Sequence, residues 1–263
     1  MSSKHTQRSK VSNGDVKLAV SLTGKGQQLI FFNGLGATQA IWKSVIRHLT
    51  GQYQVVTFDF RGHGKATGAK DYSFDSFLTD AEAVLAAWGK DKPLLVAWSM
   101  GADLAIRYAA AHPGSVGGIL IIDGALPAQL IDDPEEVKRL LHNPWMRLGF
   151  FALGLIGMGY QLSPDEQLTL NMQLDASRKL ILQVYEKLDC PVELILASKT
   201  AGEKGAYASR INMLWLAAAE RLASTYPALP IHWLESIHQL PLKKPVELAR
   251  AIDDFSRRVK REG

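Results

Sequence analysis

Ser99 stands in Ala97-Trp98-Ser99-Met100-Gly101, after the apolar run Pro93-Leu94-Leu95-Val96 and before the helix-forming stretch 102–111. A serine on a sharp turn between a buried strand and a helix has its hydroxyl lifted out of the sheet. The first helical N–H groups then point at whatever it attacks. Such turns usually read G-x-S-x-G. Ala97 replaces the first glycine and is still small enough for close approach of strand and helix. The chemistry predicted is nucleophilic attack by the Ser99 hydroxyl on an acyl carbon. That hydroxyl needs a base, and His238 lies four residues beyond the strand-like run 231–234, at the same edge of the predicted sheet. An imidazole that titrates near neutrality takes the serine proton and returns it to the leaving group. His63 sits in a turn and is read as a loop hydrogen-bonding residue. His232 falls inside a strand, and His5, His48, His112 and His142 have no comparable placement. The attacked carbonyl becomes an oxyanion and requires fixed donors. The Met100 N–H at the helix start is one candidate. The Leu35 N–H in Asn33-Gly34-Leu35-Gly36 is the other, because glycines let that backbone approach a substrate closely.

The elements that would position these groups alternate along the chain. Residues 16–22 read as an edge strand, and 28–32, 55–60, 93–98, 118–122, 192–197 and 231–234 as further strands. Between them, 38–49 carries Ile41, Trp42, Val45, Ile46 and Leu49 at helical spacing. Phe74, Phe77, Leu78, Ala81, Leu85 and Trp88 stripe a helix over 73–88, with Ser73 or Asp75 as its N-cap. The last helix runs from about 245, with Leu248, Ile252, Phe255 and Val259 on one face. Short apolar strands separated by amphipathic helices imply a mainly parallel sheet covered on both faces. The rhythm breaks over 125–188, which looks helical throughout. The reading is therefore a core domain of 1–124 and 189–263 with a helical cap, 125–188, above the strands' C-terminal ends, where ligands bind in open α/β sheets. The apolar residues Trp145, Phe150, Phe151 and Met158 would face the substrate from that cap. Trp98, Met100 and Leu240 would add to the pocket wall.

Composition narrows the class. The 263 residues are 47% hydrophobic and 21% charged, which is ordinary for a globular protein able to bury a large core. The formal charge of +4 is concentrated at the chain ends, in Lys4, Arg8 and Lys10 and in Arg257, Arg258, Lys260 and Arg261. No basic patch interleaved with aromatics marks a nucleic-acid partner. The single cysteine, Cys190, excludes an internal disulfide and offers none of the zinc spacings, so no metal site is expected. Residues 1–13 are polar and carry no signal-peptide core. The longest apolar stretch, 148–162, holds four glycines and is short for a span. A cytoplasmic protein with a small-molecule substrate and no membrane partner is expected.

Four segments, in order, resemble the α/β-hydrolase family, in its branch of small cytoplasmic serine esterases. They are Phe31-Phe32-Asn33-Gly34-Leu35-Gly36, Phe58-Asp59-Phe60-Arg61-Gly62-His63-Gly64, Ala97-Trp98-Ser99-Met100-Gly101 and Ser236-Ile237-His238-Gln239-Leu240-Pro241-Leu242. The resemblance implies an α/β-hydrolase fold with an eight-stranded, mostly parallel sheet, a small helical lid and a Ser–His–acid triad that works without a cofactor. Asp59 and Arg61 match a turn that is usually structural. Asn33 stands where the family usually has histidine before glycine. The family expects its acid three residues after the strand 192–197, and Thr200 is there instead. Asp123, at the end of strand 118–122, is the first substitute, Glu203 is the alternative, and a site without an acid is the third possibility. Losing the acid costs about 10⁴ in kcat in a serine-protease triad. The expected function is hydrolysis of a carboxylic ester of a small, largely apolar substrate through an acyl-enzyme. The alternatives are thioesterase, carbon–carbon hydrolase or haloperoxidase chemistry, or a low-turnover ligand-binding or signalling protein on this fold, which a missing acid would favour.

Overall fold

The computed structural model describes residues 6–49, 51–143 and 159–262. Eight strands form one sheet: β1 Thr6–Asn13, β2 Val16–Gly24, β3 Gln27–Phe32, β4 Tyr53–Asp59, β5 Leu94–Trp98, β6 Gly118–Ile122, β7 Val192–Ala197 and β8 Ile231–Leu234. Their order is β1-β2-β4-β3-β5-β6-β7-β8. β2 pairs antiparallel with both β1 and β4, and every other neighbouring pair is parallel. β5 and β6 are buried at every position. That is why they read as continuous apolar runs rather than alternating ones.

Side chains alternate across the sheet with period two. Ile30 and Phe32 join the core on one face, with Phe58, Phe77 and Leu104. Leu29 and Phe31 join the core on the other, with Trp42, Leu240 and Phe255. The helices that close the two faces are α1 Lys43–His48, α2 Phe74–Trp88, α3 Met100–Ala111, α4 Pro134–Leu141, α5 Pro164–Ser177, α6 Ile181–Glu186, α7 Ala206–Thr225, α8 Leu240–Lys243 and α9 Pro245–Glu262. The Ser73 hydroxyl caps α2 by accepting the Ser76 N–H. A cap of this kind contributes about 1 kcal/mol.

Two expectations are corrected. The edge strand is β1, not 16–22. Of its eight residues only Val11 is buried, so it lacks the apolar alternation that marks a strand, and its pairing with β2 rests on backbone hydrogen bonds. The helix expected over 38–49 is a short 3₁₀ turn, Gln39–Trp42, followed by α1.

Between β6 and β7 the described chain is helical, in α4, α5 and α6. It is fastened to the core through α3, where the Arg178 guanidinium grips Asp103 and Arg107 donates to the Ser177 carbonyl; within the segment the Tyr185 hydroxyl donates to the Ala125 carbonyl. Trp145, Phe150, Phe151 and Met158 lie outside the described residues. No described helix is long and apolar enough to cross a membrane.

Candidate active site

Ser99 follows the last residue of β5 and is the N-cap of α3, with φ 56° and ψ −128°. A side chain at positive φ is strained, on the order of 1–3 kcal/mol, and persists only where the surroundings enforce it. Here they do. A Cβ at Gly101 would lie 2.6 Å from the Asn33 carbonyl oxygen, so the first turn of α3 packs directly on the end of β3. A Cβ at Gly34 would lie 2.8 Å from that of Ser99, so the 33–36 loop passes directly against the Ser99 side chain. Ala97 is fully buried within β5, where a methyl group fits.

The Ser99 Oγ lies 2.9 Å from His238 Nε2, across 139 residues of sequence. His238 Nδ1 lies 2.7 Å from Asp123 Oδ2. A carboxylate accepts only, so Nδ1 carries the proton and Nε2 is left with the lone pair that faces the serine hydroxyl. Asp123 follows the end of β6, itself at φ 44°. Its carboxylate is fully buried and saturated with donors. Oδ1 accepts from the Ala197 N–H at 2.9 Å and from Trp215 Nε1 at 3.0 Å. Oδ2 accepts from the Thr200 hydroxyl at 2.7 Å as well as from the imidazole. Thr200, at the register where an acid was expected, thus orients the acid that stands at the end of the neighbouring strand. Glu203 is not near the imidazole: it is 62% exposed and accepts from Lys199 at 2.9 Å.

The Leu35 and Met100 N–H groups make no hydrogen bond among the described residues: Met100 is the residue after Ser99, and Leu35 follows Gly34 in the loop packed against the Ser99 side chain. The loop is held by His63. The His63 Nδ1–H donates to the Arg61 carbonyl at 2.8 Å and Nε2 accepts the Gly36 N–H at 3.0 Å. Those two partners admit only the neutral ring, and burial accordingly pushes the His63 imidazole below the ordinary histidine value. Asn33 does not face the site. Its side chain donates to the Phe58 carbonyl and accepts from Trp42 Nε1. Asp59 accepts from the Gln39 and Lys65 N–H groups, and Arg61 pairs with buried Asp80, so both residues hold the turn.

Ser99, Asp123, Thr200 and His238 line a cavity of about 620 Å³ with Leu130, Leu174, Ile211 and Trp215 among its walls. The side chains of Trp98, Met100 and Leu240, expected on that wall, belong to the core instead. Trp98 is 5% exposed, its ring lies against the His238 ring at 5.2 Å, and its Nε1–H donates to the His238 carbonyl. Leu240 is fully buried on the opposite face of the sheet from Met100. Trp98 is the last residue of β5 and Leu240 the first of α8, and the packing of these element ends against the core decides which face each meets. The residues missed were Thr200, in its role as donor, and Trp215. The indole of Trp215 arrives from α7, 92 residues after the acid it serves.

Comparison with known proteins agrees with this architecture. A family model described as alpha/beta hydrolase fold matches residues 28–187. A pimeloyl-(acyl-carrier protein) methyl ester esterase from Methylococcus capsulatus is 31% identical over 107 residues, 41% of this chain and 41% of that one. A fluoroacetate dehalogenase from Burkholderia sp is 31% identical over 141 residues, 51% of this chain and 45% of that one. The chain thus spans less than half the length of these curated relatives. A carboxylesterase structure from Nitrososphaera gargenis superposes with a TM-score of 0.78 and 17% identity, covering 97% of this chain and 100% of the other.

Proposed function

The chain belongs to the α/β-hydrolase family, and from that premise we propose that it is a serine hydrolase that cleaves a carboxylic ester through an acyl-enzyme. The observation that carries this reading is the continuous hydrogen-bond chain from Ser99 through His238 to Asp123. In the proposed reaction His238 Nε2 takes the Ser99 proton as Oγ attacks the ester carbonyl. The oxyanion that forms is assigned to the Leu35 and Met100 N–H groups, and donors fixed by the backbone would stabilise it without reorganisation. Collapse expels the alcohol, protonated by His238. Water activated by the same nitrogen then cleaves the acyl-enzyme. Asp123 holds the imidazole in the tautomer that faces the serine and stabilises it when it becomes charged.

The serine favours ester cleavage over dehalogenation, the reaction named for one relative. Displacement of a halide by a hydroxyl oxygen leaves an ether, which has no carbonyl for water to attack. Displacement by a carboxylate leaves an ester, which turns over. The binding-protein reading drew its support from the absence of an acid at position 200, and Asp123 at 2.7 Å from Nδ1 removes that support. The segment 125–188 is proposed as the cap over the cavity, since Leu130 and Leu174 already supply part of its apolar wall.

The test is labelling with a fluorophosphonate, followed by mass mapping, alongside hydrolysis of short p-nitrophenyl esters. The expected result is a single adduct on Ser99 and loss of both signals in Ser99→Ala. An unlabelled folded protein, or an adduct elsewhere with unchanged hydrolysis, overturns the proposal.

A further inference from the structure

The wall of the cavity that holds Ser99 and His238 also contains a buried cation, Arg178, whose side chain is 6% exposed. Its guanidinium is gripped along one edge. Asp103 Oδ1 accepts the Nε–H at 3.0 Å and Oδ2 accepts from Nη2 at 2.7 Å. The Trp215 ring lies 5.8 Å from the guanidinium carbon, so the plane is fixed on its face as well. An arginine presents five N–H donors in a rigid fork. The Nε/Nη2 edge is occupied by Asp103, which leaves the outer Nη1/Nη2 edge. Nη1 makes no hydrogen bond among the described residues. It is not sealed away either: the one buried side-chain polar atom without a partner among them is Ser115 Oγ. The space onto which this otherwise buried side chain opens is the cavity.

Neutralising Asp103 does not by itself require such an arrangement. Arg107 stands 3.8 Å from its Oδ1, and the Ala125 N–H donates to Oδ2. Three acids face Arg178: Asp103, Asp175 and Asp123. Asp103 holds the inner edge of the fork. Asp175 Oδ1 accepts the Leu130 N–H, and Asp123 is saturated by its own four donors. The outer edge is therefore a preoriented, partly desolvated fork at the side of an otherwise largely apolar chamber. Its geometry is the one a second carboxylate takes bidentately.

We propose that the outer edge of Arg178 binds a carboxylate carried by the substrate, so that the cavity takes half-esters of dicarboxylic acids. The ester end meets Ser99, the methylene chain lies against Leu130, Leu174 and Ile211, and the free carboxylate is held by Arg178. This rests on the ester-hydrolase reading and sharpens it: the substrate is apolar along its length and anionic at its far end.

The experiment measures, by calorimetry, binding of monomethyl esters of succinate through suberate to the full-length Ser99→Ala protein, against neutral methyl alkanoates of equal length. The expected result is that one chain length binds roughly ten- to hundredfold tighter than its neutral counterpart, as a charged hydrogen-bonded pair implies. That ratio falls toward one in Asp103→Asn/Arg178→Met, which removes both buried charges together. Arg178→Lys, which keeps a cation beside Asp103 but has no fork, also loses most of the ratio and stands as the test if the double variant does not fold. Equal binding of charged and neutral esters at every length, or a preference unchanged in Arg178→Lys, overturns the assignment. The two readings fail differently. If the ester-hydrolase reading is wrong, the unsubstituted protein consumes neither ester while the Ser99→Ala protein still prefers the half-ester. If Arg178 is only structural, esters are consumed with no such preference.

Discussion

Two cavities of comparable size open at opposite ends of the same parallel strands, and they differ in what their polar groups are free to do. The cavity of about 620 Å³ lies past the C-terminal ends of β5 to β8 and holds Ser99, Asp123 and His238. The other, about 470 Å³, lies at the N-terminal ends of β7 and β8 and contains Cys190, Glu193 and Arg258. At the first, a strained serine faces an imidazole lone pair, and two backbone N–H groups have no partner among the described residues. At the second, everything titratable is quenched. The Glu193 carboxylate is paired with Arg258 and, at 3.1 Å, with His232. Burial first, and then Asp189, push the Cys190 thiol up to about 11, so it is not a thiolate near neutrality. Volume therefore does not make a site. Chain direction does: parallel strands deliver their ends into helix N-termini, whose orphan N–H groups and cap residues face the C-terminal cavity.

Exchanging the chemistry between the two ends is the strongest way to break this contrast. Ser99→Ala is expected to lower kcat for ester hydrolysis by about 10⁶, as loss of a serine nucleophile does elsewhere. Cys190→Ala in parallel should leave the rate unchanged, measured with a p-nitrophenyl ester. A loss of rate in Cys190→Ala would place chemistry at the wrong end. Asp123→Asn is expected to cost about 10⁴ in kcat, through the wrong imidazole tautomer. Glu203→Gln, in steady-state kinetics at pH 8, should change nothing. Equal losses in the two would show that the acid is shared.

Smaller effects sharpen the comparison. Arg258→Ala leaves Glu193 buried with only a half-exposed histidine, and should lower unfolding free energy by about 1–3 kcal/mol in urea titration while kcat/KM stays constant. A matching loss of turnover would couple the two ends of the sheet. His63 should tie stability to pH. Its folded value lies below the ordinary one, so in acid the unfolded chain binds the proton first, and stability falls as pH drops below about 6.5. The slope reaches ~1.4 kcal/mol per pH unit until the ring in the folded protein protonates. Urea midpoints between pH 5 and 7.5 should show this slope, and His63→Gln should flatten it. An unchanged slope would mean that His63 does not carry the acid sensitivity of the 33–36 loop.

Much of this was legible before any coordinates. Seven of the eight strands read as strands, six from apolar runs and 16–22 from weak alternation, and the turn at Ser99, the glycine loop at 34–36 and the late histidine each carry a local pattern. The polar strand β1 left no such pattern, because it buries only Val11 and is held to β2 chiefly by the backbone ladder. Helix α7 leaves a weaker mark, because three of the six residues it buries are alanines. For the acid, the sequence put Asp123 ahead of Glu203 and left a site without an acid open.

The sequence by itself determined most of the elements and singled out Ser99 as the candidate nucleophile, because helix, strand and turn preferences act over a few neighbouring residues and leave their periods in the chain. Only the tertiary structure decided which carboxylate serves His238, that Thr200 and Trp215 hold it, that Trp98 and Leu240 turn into the core, and that Arg178 opens onto the cavity. Each of those outcomes depends on the order of strands in the sheet, which joins groups 75 to 140 residues apart, and separations of that size leave no trace in local spacing.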